Sequence, residues 1–210
     1  MTIDSSDDHN TVYNEIQFEE LISSYIDTKV GISEHFLSDT LTGNLAQNLL
    51  SHHANHSMNA AGTGNQKDIQ HDHKVRGDSI YWLDRKHQDL HENEFFDRMD
   101  AFVLYLNQSC YTGITGYEFH YTMYETGSFY KKHLDQFKND ESRQFSMISY
   151  LNVGWVKEDG GQLLIQLDHH DQSITPTNGK TVFFKSNELE HEVLLTTKNR
   201  MSITGWLKKD

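Results

Sequence analysis

GYEFHYTMYE, at residues 116–125, is the first of a series of short runs in which apolar residues alternate with polar ones or cluster between turn residues. Such runs are typical of β-strands with one buried face. The series continues as SFYKKHLDQF (128–137), FSMISYLNVGW (145–155), GGQLLIQL (160–167), KTVFFKS (180–186), HEVLLTT (191–197) and RMSITGWLK (200–208). Seven or eight strands at this spacing predict a β-sandwich or a barrel.

The part of the chain before residue 115 has a helical pattern. Residues 11–26 carry apolar side chains at roughly helical spacing: Val12, Ile16, Leu21, Ile22 and Ile26. Asp39 is the expected N-cap of a second helix that runs to about Ala54. Residues 91–110 predict a third helix with a core-facing stripe of Phe95, Phe96, Met99, Phe102, Val103 and Leu106. Helices followed by many short strands predict an α+β domain with a β core.

The segments between these helices are shorter or less regular. Strands are expected around Lys29–Phe36 and in VRGDSIYWLD (75–84), and residues 1–10 are expected to be disordered. Residues 55–74 are rich in Gly, Asn, His and Asp, which predicts a long loop of the kind that often serves as a functional lid.

Composition excludes several classes of protein. The formal net charge of -13 disfavours a general nucleic-acid binder, because such a surface repels phosphate. Cys110 is the only cysteine, so neither an internal disulfide nor a thiolate zinc site can form within one chain. The acidic N-terminus does not resemble a secretory signal, and no apolar run approaches the roughly 20 residues of a membrane span. No membrane partner and a cytoplasmic location are therefore expected.

His133 and Asp135 lie one residue apart within the second of these runs. On a strand they would share a face, with Leu134 directed into the opposite layer. The pair alone arises by chance in many sequences, and two solvent-facing polar residues are the alternative interpretation. His191, in a later run, is a candidate third ligand. Two histidines and one carboxylate form the facial set that suits ferrous iron.

Arg200 follows His191 by nine residues and begins another strand. Strand alternation places it on one face with Ser202, Thr204 and Trp206. A buried arginine is unfavourable unless a carboxylate meets it, and its planar fork matches a carboxylate. An inward Arg200 beside a metal therefore predicts an acidic co-substrate, whereas Arg200 alone could form an ordinary surface ion pair.

Five segments together resemble the 2-oxoglutarate- and Fe(II)-dependent oxygenases of the prolyl 4-hydroxylase superfamily, over about residues 75–208. They are HLD (133–135), YLN–GW (150–155), GGQLLI (160–165), TPTNGKTVFF (175–184) and HEVLLTTKNRMSITGW (191–206). VRGDSIYWL is similar to a segment of the oxygen-sensing (hypoxia-inducible-factor) type and its bacterial relatives. Those enzymes also have an arginine at the position of Arg200, where the collagen-modifying type has a lysine.

This resemblance implies an α+β fold whose core is a double-stranded β-helix, or distorted jelly roll, with the N-terminal helices packed outside. The implied dioxygenase domain spans residues 11–210, with helical support at about 11–110 and the jelly-roll core at about 115–208.

The resemblance also assigns residues. The implied iron ligands are His133, Asp135 and His191. The implied 2-oxoglutarate-binding residues are Arg200, Tyr124, Tyr150 and Thr204. The implied substrate and pocket residues are Tyr130, Arg76, Asp78, Trp82, Arg143 and Trp206. Without the family resemblance, Tyr124 and Tyr150 could equally well be core residues. Asp78 and Arg143 could equally well be structural ion-pair residues.

The implied activity is hydroxylation of a prolyl residue in a protein, using O2 and 2-oxoglutarate and releasing succinate and CO2, with ascorbate as a stimulant. Asp135 favours hydroxylation over halogenation, which would need a smaller residue there. Related enzymes act on hypoxia-inducible factor, elongation factor or ribosomal protein, so a translation factor is the first substrate to consider. A small-molecule (free amino acid) hydroxylase of the same superfamily is the alternative. A nucleic-acid demethylase of the AlkB type is disfavoured, because Trp206 occupies the position of its second arginine.

Overall fold

The computed structural model describes residues 5–62, 75–136 and 140–209, with side chains from residue 15 onward. Its three helices are α1 (Ser5–Thr28), α2 (Asp39–Ala54) and α3 (Leu90–Cys110). Its strands are β1 (Gly31–Ser33), β2 (Asn59–Ala60), β3 (Asp78–Trp82), β4 (Gly116–Tyr124), β5 (Tyr130–His133), β6 (Arg143–Tyr150), β7 (Leu163–Gln166), β8 (Asp171–Ile174), β9 (Thr181–Lys185), β10 (His191–Val193) and β11 (Arg200–Lys208).

The strands form two antiparallel sheets. The larger has the order β1-β9-β6-β11-β4-β3-β2, and the smaller has the order β5-β10-β7-β8. One face of the larger sheet packs on the three helices through a core that includes Phe102, Tyr121 and Ile203. Its other face and the smaller sheet share a second core, which includes Ile148 and Ile165. This arrangement confirms the predicted α+β jelly roll with its helices outside.

Alternation in the central strands decides which residues face which layer. In β4, Phe119, Tyr121 and Met123 belong to the helix-side core, and the intervening residues face the smaller sheet. Gly205 of β11 is needed where this strand meets β4, since a Cβ there would lie 2.2 Å from the carbonyl oxygen of Glu118. The side of the larger sheet away from the helices is thus free to form a site.

The helical predictions need three corrections. Residues 5–10, expected to be disordered, belong to α1, and their polar sequence has no apolar periodicity that would have indicated a helix. Of the predicted stripe, Leu21 and Ile22 are buried, whereas Ile16 and Ile26 are 53% and 71% exposed. Phe18 is buried as well, and the side chain of Val12 lies outside the described ones. The N-cap of α2 is Ser38, whose hydroxyl accepts a hydrogen bond from the Leu41 N–H at 3.2 Å. The carboxyl of Asp39 therefore lies in the first turn.

The strand predictions agree more closely with the structure. All seven quoted runs contain a strand, and β8 is the eighth, whose mostly polar sequence DQSI gave little signal. The expected strands near 29–36 and 75–84 correspond to the shorter β1 and β3. The expected lid at 55–74 contains β2, and its residues 63–74 lie outside the described residues. Within the described residues, no helix has the length and apolarity to cross a membrane.

Candidate active site

The pairing of two strand ends brings the three candidate iron ligands together. His133 ends β5 and His191 begins β10, and these residues are direct partners in the antiparallel register. Their Nε2 atoms lie 3.5 Å from Oδ1 and 3.5 Å from Oδ2 of Asp135, respectively. One ligand atom from each residue lies within 4.8 Å of the others, the spacing of a group that could hold one metal ion.

The local geometry of the His-x-Asp pair differs from the strand prediction. β5 ends at His133, and Asp135 lies in the bend that follows. Leu134 is 43% exposed and lines the cavity, so the prediction that it points into the opposite layer is wrong. The bend, not strand alternation, directs the carboxylate towards the two imidazoles.

Hydrogen bonds fix the orientation of all three groups. Nδ1 of His133 lies 2.8 Å from the Lys131 carbonyl oxygen, and Nδ1 of His191 lies 3.1 Å from that of Leu189. A carbonyl oxygen only accepts, so each Nδ1 carries the hydrogen and each Nε2 presents a lone pair. The Ser146 hydroxyl donates to Oδ2 of Asp135 at 2.6 Å and lies 2.9 Å from the Ser186 hydroxyl.

The electrostatics of the triad suit a divalent cation. Burial alone would raise the pKa of the Asp135 carboxyl, but His191, His133 and the Ser146 hydroxyl together hold that pKa well below its usual range. Burial lowers the pKa of His191, which keeps its imidazole neutral and its Nε2 lone pair available. One carboxylate and two imidazoles match the donor set of non-haem ferrous sites.

Arg200 lies at the inner end of the same region. It is 1% exposed, and within the described residues no carboxylate forms an ion pair with it. Its Nε donates to the Gly161 carbonyl oxygen at 2.8 Å, whereas its Nη2 has no hydrogen-bond partner in the described part of the chain. The Tyr150 hydroxyl is likewise buried without a described partner. A carboxylate-bearing ligand would satisfy both groups.

Three neighbours shape the surroundings of Arg200. Its guanidinium carbon lies 5.1 Å from the Tyr124 ring centroid and 5.0 Å from that of Tyr150. Burial raises the pKa of both phenols, so both keep a hydrogen to donate. Gly161 has a φ of +65°, and a Cβ there would lie 2.9 Å from the Arg200 Cδ. The side chain of Arg200 is therefore held in a close-fitting position.

A cavity of about 620 Å³ connects the triad, Arg200 and the surface, and it lies between the two sheets. This volume is typical of ligand pockets, which are roughly 300–1,000 Å³. All but one of the predicted site residues line it: His133, Asp135, His191, Arg200, Tyr124, Thr204, Tyr130, Arg76, Asp78, Trp82, Arg143 and Trp206. The exception is Tyr150, which is fully buried with its ring centroid 5.0 Å from the Arg200 guanidinium carbon.

Ion pairs hold one wall of the entrance. Arg76 donates from Nε and Nη2 to the two carboxylate oxygens of Asp78 at 2.7 and 2.6 Å, and its guanidinium lies 4.2 Å from the Tyr130 ring centroid. The Tyr130 ring in turn stacks on that of His133 at 3.6 Å. Asp78 thus lines the cavity and is also ion-paired with Arg76, and a continuous stack leads from Arg76 to the triad.

Arg143 organises the opposite wall. Its guanidinium carbon lies 3.4 Å from the Trp206 ring centroid, and it donates to Glu118 at 3.0 and 2.8 Å. It also donates to the backbone carbonyl oxygen of Asp135 at 3.3 Å. Arg143 therefore both forms an ion pair and connects the Trp206 wall to the bend that carries the candidate ligand.

Sequence reasoning missed four residues that shape this site. Ser146 and His120 could have been found by alternation, since they share strand faces with Tyr150 and Tyr124 respectively. Gly161 and Ser186 lie outside strands, and their roles depend on tertiary contacts with Arg200 and Ser146.

The fold and these side chains define a non-haem iron oxygenase that uses a 2-oxo acid. A model of the 2OG-Fe(II) oxygenase superfamily matches residues 119–208. A Pseudomonas putida prolyl-4-hydroxylase is 32% identical, with a TM-score of 0.82, over 92% of this chain and 99% of that chain. The chain belongs to the 2-oxoglutarate/Fe(II) oxygenases of the prolyl 4-hydroxylase superfamily, and it is a 2-oxoglutarate-dependent dioxygenase.

Two more distant structures share the fold. A Trichoplax adhaerens prolyl hydroxylase, solved with a fragment of hypoxia-inducible factor, is 21% identical with a TM-score of 0.84, over 95% of this chain and 92% of that chain. A viral collagen prolyl hydroxylase from Paramecium bursaria Chlorella virus-1, solved with 2-oxoglutarate, is 16% identical with a TM-score of 0.61, over 87% and 97%.

Proposed function

We propose that the enzyme hydroxylates a prolyl residue, at C4, in a protein or peptide substrate. The observation that carries the proposal is the similarity to the Pseudomonas prolyl-4-hydroxylase, which extends over nearly the whole of both chains. The cavity is compatible with it, because its mouth carries the partly exposed apolar side chains of Trp82 and Leu134. A pyrrolidine ring on an extended chain could pass between such side chains and reach the triad.

The roles of individual residues follow from their positions. His133, Asp135 and His191 would hold Fe(II), while Ser146 keeps the carboxylate oriented. Arg200 and the Tyr150 hydroxyl would hold the far carboxylate of 2-oxoglutarate, with Tyr124 and Thr204 lining the path between that end and the iron. When bound, iron and 2-oxoglutarate supply oxidation of an unactivated C–H bond with release of succinate and CO2.

The remaining cavity residues position the substrate. The stacked Tyr130 and the Trp206 wall flank the triad and would restrict which carbon approaches it. A bound substrate would close the open side of the cavity and keep bulk water from the reacting atoms.

A product assay tests the proposal. The purified enzyme is incubated with Fe(II), 2-oxoglutarate and a library of proline-containing peptides, including segments of translation factors, and fragment mass spectrometry locates any gain of one oxygen. The matched control peptides have alanine in place of proline, and the control enzyme is His133→Ala. We expect one added oxygen on proline, accompanied by one succinate, only with the wild type.

The same assay distinguishes the alternative, a small-molecule hydroxylase with the same iron site. Free amino acids are offered in parallel with the peptides. Oxidation of a free amino acid without oxidation of any peptide would overturn the proposed substrate class while leaving the oxygenase assignment intact.

A further inference from the structure

His120 is a buried titratable group in the cavity that the proposed chemistry does not use. It lies on β4, is 3% exposed, and lines the same cavity as the triad. Burial lowers its pKa to about 4, so the imidazole is neutral near pH 7. A neutral imidazole has one nitrogen that donates and one that accepts, and the tautomer decides which of them faces the ligand.

Two short contacts on one ring nitrogen indicate the tautomer. Nδ1 of His120 lies 3.2 Å from the Tyr121 carbonyl oxygen and 2.9 Å from the Thr122 hydroxyl. The carbonyl oxygen can only accept, so the hydrogen belongs on Nδ1, shared with the hydroxyl oxygen. Nε2 forms no hydrogen bond within the described part of the chain. It is therefore a lone pair on the cavity wall that a ligand can use.

The strand register places His120 between the triad side of the sheet and the solvent. His120 is the direct partner of Trp82 on one side and of Thr204 on the other, and Thr204 is the partner of Ile148. These paired residues form a row across the larger sheet. The row begins at Ile148, two residues from Ser146 in β6, and ends at Trp82, which is 46% exposed. His120 stands two strands from Ile148, roughly 10 Å at normal strand spacing.

Aromatic rings hold the imidazole in this position. The Trp82 ring meets it edge-on with centroids 5.0 Å apart, and the Trp206 ring lies 5.7 Å away. These rings and the Nδ1 contacts limit rotation of the side chain. The Nε2 lone pair is thus a fixed acceptor on the wall that a substrate passes.

We propose that Nε2 of His120 accepts a hydrogen bond from a substrate N–H close to the oxidised ring, and that His120 is a specificity-determining residue. This inference rests on the proposed function. In a prolyl peptide the proline nitrogen carries no hydrogen, so the N–H nearest the ring on its C-terminal side belongs to the following residue. A substrate lacking that donor would cover the acceptor without giving it a partner, which is unfavourable.

The test compares two forms of one peptide, the one that the wild type hydroxylates best. In the second form an ester oxygen replaces the N–H of the residue after proline. The enzymes are the wild type, His120→Leu, His120→Gln and the control His170→Leu, which changes an exposed histidine in the β7–β8 turn. Thermal unfolding checks that each variant is folded. An unchanged KM for 2-oxoglutarate checks that the binding site around Arg200 is intact.

For the wild type and His170→Leu we expect kcat/KM to be about tenfold higher with the amide than with the ester. His120→Leu should lower the amide value about tenfold and abolish the preference. His120→Gln, whose amide oxygen can accept, should recover part of the preference. Equal amide-to-ester ratios in the wild type and His120→Leu would overturn the inference.

A second measurement does not depend on the peptide. Long-range 15N NMR of the histidine rings reports which nitrogen carries the hydrogen, and we expect Nδ1–H for His120 between pH 6 and 8. Finding Nε2–H would overturn the inference even if peptides are hydroxylated. If no peptide is hydroxylated at all, the proposed function fails, and the tautomer decides whether His120 can act as an acceptor in this cavity.

Discussion

Arg200→Lys is the substitution that most directly tests how the enzyme holds 2-oxoglutarate. Lysine keeps the positive charge but replaces a planar fork with a single ammonium group. It also loses the 2.8 Å hydrogen bond from Nε to Gly161, which fixes the direction of the fork. The substitution therefore separates the geometry of carboxylate binding from its charge.

The magnitude follows from the unpartnered Nη2. A hydrogen bond to a charged group contributes about 1.5–3 kcal/mol, and about 1.4 kcal/mol corresponds to a tenfold change in affinity. Loss of one such bond should raise the KM for 2-oxoglutarate roughly 10- to 150-fold. Because this contact is the same in the ground and transition states, kcat at saturating 2-oxoglutarate should change much less.

Arg200→Met adds a stability measurement to the kinetic one. A buried charge without a counter-ion is unfavourable, because nothing compensates its loss of water, so replacing it with an apolar side chain need not destabilise the fold. We therefore expect no decrease in the melting temperature of the ligand-free variant. The free energy of unfolding of the wild type should rise by about 2.7 kcal/mol when 2-oxoglutarate is at 100 times its Kd, and that of Arg200→Met should hardly change at the same concentration.

The assays are succinate release over a range of 2-oxoglutarate concentrations and thermal unfolding with and without it. Arg85→Met is the control, since Arg85 is an exposed arginine paired with Asp97 and Asp100. A change of less than threefold in the KM of Arg200→Lys would refute the reasoning, as would equal stabilisation of wild type and Arg200→Met by 2-oxoglutarate.

Three further predictions concern other parts of the structure. Ser146→Ala removes the 2.6 Å hydrogen bond to Asp135, so a metal titration should show the Kd for Fe(II) rising about 10- to 100-fold. Ser146→Thr keeps a hydroxyl and should restore the wild-type Kd. An unchanged Kd in Ser146→Ala would contradict the role of Ser146 in orienting the carboxylate. Gly161→Ala introduces a Cβ at positive φ against the buried Arg200, so chemical denaturation should show the free energy of unfolding falling by about 1–3 kcal/mol. The control Gly43→Ala lies in α2 with open space around it, so its free energy of unfolding should rise by about 1 kcal/mol. The folded pKa of His120, lowered from 6.5 to about 4, means that only the unfolded chain binds this proton as the pH falls below 6.5. Stability should therefore decrease by up to about 3 kcal/mol between pH 6.5 and 4, and a similar decrease in His120→Leu would contradict this assignment.

Most strands were predictable because they leave a local pattern of alternating or clustered apolar residues, which the polar β8 and the two-residue β2 lack. That pattern survives in β4 and β11, where alternate residues line the cavity and the others pack under the helices. Helix α1 was less predictable, because only part of it packs against the core. Ile16 and Ile26 fit the helical spacing but remain exposed, and no local signal distinguishes them from the buried Phe18.

The site was predictable to the extent that its motifs are local in sequence. His133, Asp135, His191 and Arg200 were candidates by type and spacing and received their roles from the family resemblance, but how they meet depends on register and on a bend. The register of β10 with β5 places the two histidines opposite each other, and the bend after β5 brings in the carboxylate. Ser186 illustrates the limit, since it reaches the triad only through the tertiary contact with Ser146.

The same structural feature explains both the co-substrate preference and the stability predictions. The enzyme buries an arginine and a tyrosine hydroxyl whose hydrogen-bonding capacity the described residues do not satisfy. Burying such groups is unfavourable unless a hydrogen-bond partner replaces the water that they lose. A carboxylate at this end supplies the missing acceptor and counter-charge, so binding recovers free energy that the fold alone does not. Selection of 2-oxoglutarate should therefore come from the far carboxylate as well as from the metal, and a 2-oxo acid without that carboxylate should bind the wild type and Arg200→Met about equally.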